Sequence, residues 1–349
     1  IEEALKIENY KYELLENKKV ISSGNFSTIG DLTSLKLLPM TIMSWLVIFT
    51  YSAINMGNIK YGIIALVGLC FAHLGTNLID DYFDYKFLIK MVNFDKTEYL
   101  KQSQKTKCRY LISGLIKKRQ LISIIATYFS IALFCGIFLF YSCGIGVIYF
   151  MLIGALIALT YPFLSRIRLS EFAVALAYGP ALFGGVYYVM TGLYSNEVYL
   201  LSIPSTLITI TLLYIHTIMD CDFDKNEGKK TIANSFKNPI DSLIVLKILL
   251  ITAYLSLILL CIFDILNWQI FFVYLTIPLA KDLYLSLKNY IIDSQSLPEK
   301  KWYHFPMENL DKFIEKNEAS FMMRMLQSRN LMIYFSILVV IAVILGLGV

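Results

Sequence analysis

Charge is the scarcest feature of this sequence, because only 16% of its 349 residues are Asp, Glu, Lys or Arg. Soluble domains carry about 25% charged residues. In the same chain 57% of the residues are hydrophobic and 14% are aromatic. This composition excludes an ordinary soluble globule, a disordered chain and a collagen-like chain. Because the apolar residues form long blocks without charges, the sequence indicates a membrane protein.

Cysteine and histidine are also few. The six cysteines are scattered without C-x-x-C spacing, and there are three histidines. This excludes a disulfide scaffold and leaves no Cys or His pair for a soft metal site. The first 35 residues are polar and mixed in charge, so we expect no cleaved signal peptide there. We predict an N-terminal cytoplasmic arm (1–36) and a transmembrane domain (37–349).

Long apolar runs predict an all-α membrane protein with nine transmembrane helices. Each run is bounded by charged or polar residues, and together they leave cytoplasmic loops at 88–119, 220–241 and 288–329. The predicted spans are 38–57, 62–80, 121–140, 144–163, 172–191, 199–219, 242–264, 267–287 and 331–348.

The basic residues predict the orientation of these spans. With the N-terminus in the cytoplasm, only Lys60 of the 31 Lys and Arg residues falls in an outer loop. Cytoplasmic loops of membrane proteins are enriched in Lys and Arg. We therefore expect a multi-pass protein of the cell membrane with its C-terminus outside. The net charge of +5 then needs no nucleic-acid partner.

Acidic residues cluster where two of the predicted spans reach the cytoplasm. In the second span Asn77, Asp81 and Asp84 are spaced by four and three residues, so they share one helix face. In the sixth span Asp220 and Asp224 are four apart, with His216 one turn earlier. Ionisable groups near hydrocarbon are costly, and they usually mark functional sites.

Two facing carboxylate clusters are typical of a site for a hard cation. Mg²⁺ binds through a few carboxylates together with substrate phosphates, so the clusters suggest a diphosphate held through two metal ions. The alternative interpretation is that the acids are simply solvated at the ends of the spans. We favour the metal site because the acids occupy equivalent helical positions at the ends of two different spans. His73 and His216 are more typical of hydrogen-bonding residues inside the bundle than of metal ligands or bases.

These motifs resemble those of the UbiA superfamily of intramembrane prenyltransferases. Residues 80–84 resemble its first aspartate-rich motif, and Asp220 with Asp224, followed by Gly228 and Lys229, resembles the second. The resemblance covers about 37–290 and 329–348. It implies a UbiA-type nine-helix bundle with cytoplasmic cap loops that transfers an isoprenyl group in a Mg²⁺-dependent reaction.

Within the superfamily, the sequence is most similar to the 1,4-dihydroxy-2-naphthoate prenyltransferase (MenA-like) branch. The similarity rests on Asn77 before the first motif, on Arg109 with Ser113 and Gly114, and on the stretches 160–162 and 178–192. It implies a lipophilic aromatic acceptor, a quinone precursor of menaquinone-type biosynthesis.

The resemblance also implies roles for individual residues. The expected catalytic residues are Asp81, Asp84, Asp220 and Asp224. Together with Asp80, these residues are also the expected ligands of two Mg²⁺ ions, and Asp222 is an additional candidate ligand. The expected substrate-binding residues are Asn77, Arg109, Tyr161, His216 and Lys229.

Several positions depart from the pattern of the branch. Asp80 and His216 stand where the family has Asn, residues 85–90 directly after the first motif lack the family's additional Asp, and the inner loop at 288–329 is long. These departures bear on the acceptor more than on the chemistry. A non-quinone acceptor and a terpene cyclase therefore remain open. A cation-coupled transporter is a more distant alternative. Such a protein would place acids near the middle of the membrane, whereas both clusters of this chain lie at the ends of spans.

Overall fold

The computed structural model describes residues 35–91, 108–114, 116–226, 228–308, 310–315 and 318–346. Nearly all of the predicted N-terminal arm (1–36) lies outside the described residues, as does much of the 88–119 loop. In the described part of the chain the secondary structure is helical apart from one isolated bridge between Ile167 and Lys230.

Nine of the described helices are long and apolar enough to cross a membrane, which confirms the predicted fold class. They are α1 (Leu35–Ile54), α2 (Ile59–Leu88), α3 (Lys118–Cys143), α4 (Gly146–Leu164), α5 (Ser170–Thr191), α6 (Asn196–Met219), α7 (Pro239–Ile262), α8 (Trp268–Ile292) and α9 (Ala319–Leu345).

Two helices extend furthest beyond the apolar runs that predicted them. Helix α2 continues past residue 80 to Leu88, and α9 begins at Ala319 rather than at 331. Apolar runs report only the part of a helix that faces hydrocarbon. Polar residues extend both helices because packing against other elements, rather than lipid, covers the turns beyond these runs.

Helix α6 lies at the centre of the bundle. In the most apolar 18-residue stretch of α6, 72% of the residues are buried, whereas in that of α3 only 11% are buried. The exposed side chains of α3 and α4 are large and apolar, for example Phe134 and Leu156, which is the surface that a lipid environment requires. Buried Thr209 donates a hydrogen bond to the carbonyl of Ser205 within α6, so a polar core position is satisfied inside the helix.

Helix α5 is interrupted near its middle. A π-type turn occupies Ala177–Ala181, and Gly179 inside it has non-helical torsions of φ −90° and ψ −106°. A side chain at Gly179 would place its Cβ 3.0 Å from Thr206 Oγ1 of α6, so glycine permits the close approach of the two helices. The interruption sets the direction in which the neighbouring Tyr178 points.

Described residues of the segment between α8 and α9 bind to both helices through polar contacts. Asp282 of α8 accepts hydrogen bonds from Lys301 (3.0 Å) and Tyr303 (2.6 Å) and contacts His304 Nε2 at 3.0 Å. Hydrogen bonding to Asp282 raises the pKa of Lys301 above its usual range. Fully enclosed Arg324 of α9 donates to the carbonyls of Ser286 and Ser296. The described residues of the long inner loop therefore form a cap that is held against α8 and α9.

Candidate active site

The first acidic cluster lies on the C-terminal turns of α2. Asn77, Asp80 and Asp81 are partly buried, and Asp84 is completely enclosed, with 0% of its surface exposed. The carbonyl of Asp81 accepts a hydrogen bond from Cys108 Sγ at 2.9 Å. This contact brings the start of the short helix Arg109–Ile112 beside the cluster.

Two cations neutralise Asp84. Its Oδ1 accepts a hydrogen bond from Arg166 Nη2 at 2.9 Å, and its Oδ2 accepts one from Lys229 Nζ at 2.5 Å. The guanidinium of Arg166 also lies over the ring of Phe87, 3.8 Å from the ring centroid. A buried carboxylate of this kind needs such partners, because burying an unpaired charge costs several kcal/mol, on the order of 3–5 kcal/mol when one partner is removed.

The backbone fixes the two cations beside each other. Arg166 lies in the short connection between α4 and α5, and its carbonyl accepts a hydrogen bond from the amide of Lys230 at 3.3 Å. The amide of Lys229 donates to the carbonyl of Asp224 at 2.8 Å. Between them Gly228 adopts a φ of 70°, a left-handed conformation that favours glycine and lets the chain turn back towards α2.

The second acidic cluster follows the end of α6. Asp220 ends the helix and is 6% exposed, and Asp224, in the short helix Cys221–Asn226, is 2% exposed. Asp222 on the same short helix faces outwards. Phe223 packs in one apolar cluster with Leu78 and Leu88 of α2. This packing and the Asp84–Lys229 pair bring the two predicted clusters together, as the sequence indicated.

Asp220 retains an unused carboxylate oxygen. Its Oδ2 lies 3.6 Å from His216 Nε2, while its enclosed Oδ1 has no hydrogen-bond partner in the described part of the chain. Glu171, at the start of α5, is in the same state: Ser170 donates to its Oε2 at 2.8 Å, and its enclosed Oε1 has no described partner. The charges of Glu171 and Asp224 interact, so Glu171 belongs to the same acidic region.

The donor set fits a hard cation only in part. Carboxylate oxygens are the right chemistry for Mg²⁺, and Asp220 Oδ1 is an enclosed oxygen in need of a partner. Among the described residues, however, no three His, Cys, Asp or Glu side chains form a ready metal site. Both oxygens of Asp84 contact cations, so the predicted metal role of Asp84 remains a prediction that requires those cations to move. Substrate oxygens would have to complete any Mg²⁺ shell, which is how Mg²⁺ is commonly bound.

An apolar cavity of about 410 Å³ begins beside the acids and runs into the membrane between α1, α2, α3, α4 and α5. Asn77 and Tyr161 line the end of the cavity nearest the acids. Along α2 its lining extends from Asn77 to Ala65, a distance of about 18 Å at 1.5 Å per residue. No Asp, Glu, Lys or Arg is among the described residues that line it.

The predicted site residues thus fall into three groups. The structure brings together the two acidic clusters, Lys229 and His216, and it places Asn77 and Tyr161 in the adjoining cavity. The side chain of Arg109 lies outside the described residues, so its predicted role stays a prediction. The list of these residues is Asn77, Asp80, Asp81, Asp84, Tyr161, His216, Asp220, Asp224 and Lys229, with Asp222 at the surface.

Two residues of the site were missed in the sequence. Arg166 counted only as a positive charge of an inner loop, and Glu171 lay at the start of an apolar run. The sequence did contain a signal for both residues. The connection between α4 and α5 is short, so its charged residues must lie close to the membrane, and an acid with an arginine is unusual beside hydrocarbon.

Comparisons with known proteins agree with this architecture. The model of the UbiA prenyltransferase family matches residues 37–310. The apo structure of a UbiA homolog from Aeropyrum pernix K1 is similar with a TM-score of 0.52 and 19% identity, covering 85% of this chain and 96% of that chain. A structure described as a digeranylgeranylglyceryl phosphate synthase in membranes is similar with a TM-score of 0.51 and 15% identity, covering 95% and 99%. No curated protein sequence matches this chain.

Proposed function

This chain belongs to the UbiA prenyltransferase family, and we propose that it transfers an isoprenyl group from an isoprenyl diphosphate to a quinone precursor such as 1,4-dihydroxy-2-naphthoate. The chain is an intramembrane prenyltransferase with multiple membrane spans. One observation carries the proposal. Two acidic clusters, with the buried Lys229 and the partly buried Arg166, adjoin the mouth of a long apolar cavity whose described lining carries no Asp, Glu, Lys or Arg. Such a site suits a substrate with an anionic head and a long apolar tail.

The chain supplies cations for the diphosphate. Arg166 Nε is enclosed and has no described hydrogen-bond partner, so this guanidinium retains a donor after pairing with Asp84. Lys229 is 4% exposed, and an ammonium so deeply buried interacts strongly with a nearby anion. We assign Arg166 and Lys229 to the diphosphate, with Asp84 as the counter-ion that keeps both cations in place before the substrate arrives. Arg109 is assigned the same role on the strength of its motif.

Mg²⁺ is part of the proposal. Asp220 and Asp224 would hold one ion, and Asp80 and Asp81 of α2 would hold the second, with Asp84 joining them if its cations shift to the diphosphate. Bound Mg²⁺ supplies charge neutralisation of the leaving group. His216, 3.6 Å from Asp220 Oδ2, orients that carboxylate.

The transfer has a simple balance of bonds. The bond between C1 of the isoprenyl group and the diphosphate oxygen breaks, and diphosphate leaves with the electron pair. A ring carbon of the acceptor supplies the pair for the new carbon–carbon bond, and the ring then loses a proton, or carbon dioxide where that carbon bears a carboxylate. The apolar walls exclude water from the allylic cation. Tyr161 at the cavity end presents an aromatic ring suited to contact a cation or the acceptor.

The charge distribution supports an orientation for the whole chain. The two clusters, Arg166 and Lys229 all lie at the ends of the spans where the predicted topology places 30 of the 31 Lys and Arg residues. We propose that this side is the cytoplasm and that the membrane is the cell membrane. Released diphosphate would then leave into the cytoplasm.

Product identification tests the proposed function. Membranes containing the chain are incubated with Mg²⁺, labelled geranylgeranyl or farnesyl diphosphate and 1,4-dihydroxy-2-naphthoate, and the lipid product is analysed by mass spectrometry. We expect a product that contains both the isoprenyl group and the naphthalene ring, absent from membranes without the chain. A labelled product without acceptor atoms would contradict the proposal and support a terpene cyclase.

A further inference from the structure

A polar cluster interrupts the apolar wall of the cavity. Thr41 of α1, His73 of α2 and Tyr178 of α5 all line the cavity. Thr41 Oγ1 lies 2.7 Å from His73 Nδ1, Tyr178 Oη lies 3.2 Å from the same nitrogen, and the two hydroxyls are 3.3 Å apart. We refer to Thr41, His73 and Tyr178 as the histidine cluster.

Counting hydrogen bonds in this cluster indicates the tautomer of His73. If Nδ1 is unprotonated, Thr41 donates to it, and Tyr178 donates to Nδ1 or to the Thr41 oxygen, so both hydroxyl protons are used. If Nδ1 carries the proton, one hydroxyl proton has no acceptor within the cluster. Unsatisfied polar groups in an apolar environment cost about 1–3 kcal/mol each. The first arrangement is therefore favoured, and it leaves the proton on Nε2.

His73 Nε2 has no hydrogen-bond partner among the described residues, and it is not one of the fully enclosed atoms. Since His73 lines the cavity, this N–H group is available to a ligand inside it. Asn77 lies one turn nearer the acids on the same face, and its enclosed Nδ2 also lacks a described partner. The cavity thus offers one reachable unused donor, His73 Nε2, about 6 Å along the helix axis from Asn77, at the end nearest the acids, whereas Asn77 Nδ2 is enclosed.

The histidine cluster lies beside an irregular turn of α5 and within reach of the acids along α2. Tyr178 belongs to the π-type turn of α5, where Gly179 permits the close contact with α6. Such turns are frequent at functional sites. His73 is eight residues before Asp81 on α2, or about 12 Å along the axis, so a ligand touching His73 is close to a diphosphate at the acids without overlapping it.

We propose that the histidine cluster is a binding subsite for a ring hydroxyl of the aromatic acceptor, with His73 Nε2 donating to the hydroxyl oxygen and Thr41 and Tyr178 positioning the imidazole. This inference rests on the proposed function. The described cavity lining contains no cation, so a neutral hydroxyl fits the subsite, whereas a phosphate or carboxylate there would be uncompensated. An isoprenyl tail has no polar atom to use the free N–H group.

Steady-state kinetics of His73 variants test the subsite. His73→Ala is compared with the parent chain using geranylgeranyl diphosphate and 1,4-dihydroxy-2-naphthoate as the probes. Loss of one hydrogen bond that leaves a buried partner unpaired predicts a rise in the acceptor KM of about tenfold, with the KM for geranylgeranyl diphosphate changed by less than about twofold. His73→Gln keeps a donor at a similar position and restores most of the acceptor KM.

A matched pair separates positioning from general destabilisation. Thr41→Val removes the hydroxyl that holds His73 and raises the acceptor KM in the same direction. Thr50→Val on the same helix removes a hydroxyl that only bonds to its own helix at Leu46, and it leaves both KM values unchanged. Equal rises in the two KM values, or no change in His73→Ala, would overturn the subsite. Absence of any acceptor-dependent product in the parent chain would instead overturn the proposed function.

Discussion

The enclosed charge of Asp84 is the feature that ties the site together at the scale of residues. Its two cations come from different parts of the chain, Arg166 after α4 and Lys229 after α6, and both reach the C-terminal end of α2. Each cation removes part of the desolvation penalty of the carboxylate. The ion-paired group therefore holds three elements in register before any substrate binds.

Removing one of these cations should destabilise the protein. In Lys229→Ala, Asp84 keeps only Arg166, and we expect a loss of about 3–5 kcal/mol of stability, since a buried pair is broken from one side. Thermal unfolding in detergent measures this. The control is Lys230→Ala, because the neighbouring Lys230 is exposed and its removal should change stability by less than about 1 kcal/mol. Equal melting temperatures for the two variants would show that the Asp84 pair contributes no stability.

At the scale of elements, α2 and α9, which extend furthest beyond their predicted apolar runs, contribute to the site and hold its cap. The last turns of α2 carry the first acidic cluster, and the first turns of α9 carry Arg324, whose donors satisfy carbonyls of α8 and of the cap segment. These polar turns could not be read from hydropathy, because they do not face lipid. Their pairing partners lie far away in sequence, and only the fold brings them together.

The anchoring role of Arg324 gives a second prediction. Arg324→Met keeps the length of the side chain and removes its donors, which leaves the carbonyls of Ser286 and Ser296 without this partner. We expect about 3 kcal/mol of destabilisation and faster proteolysis within the cap at 293–318. Ser328→Ala on the same helix is the control, since the Ser328 hydroxyl donates to the carbonyl of Met325 within α9 and not to the cap. Identical cleavage rates in the two variants would contradict an anchoring role for Arg324.

At the scale of the whole molecule, composition and apolar runs were enough to predict nine helices, and the two motifs were enough to predict the family; both predictions are confirmed. Helical spacing placed the acids of each cluster on one face, and their equivalent positions in the second and sixth spans predicted that the two clusters face each other. The pairing of Arg166 with Asp84 and the contacts of His73 could not be predicted, since they depend on how the helices pack. The 1,4-dihydroxy-2-naphthoate branch and the Mg²⁺ ligands stay predictions.

The central claim is that the acids joined between α2 and α6 act on an isoprenyl diphosphate, and Mg²⁺-dependent release of diphosphate tests it most directly. Asp220→Ala removes a carboxylate with an enclosed, unpartnered oxygen, while Asp222→Ala removes an exposed one two residues away. The purified variants are compared at saturating geranylgeranyl diphosphate and acceptor, after equal melting temperatures confirm folding. We predict a fall of about 100-fold or more for Asp220→Ala and nearly full activity for Asp222→Ala. Full activity in Asp220→Ala would contradict the account.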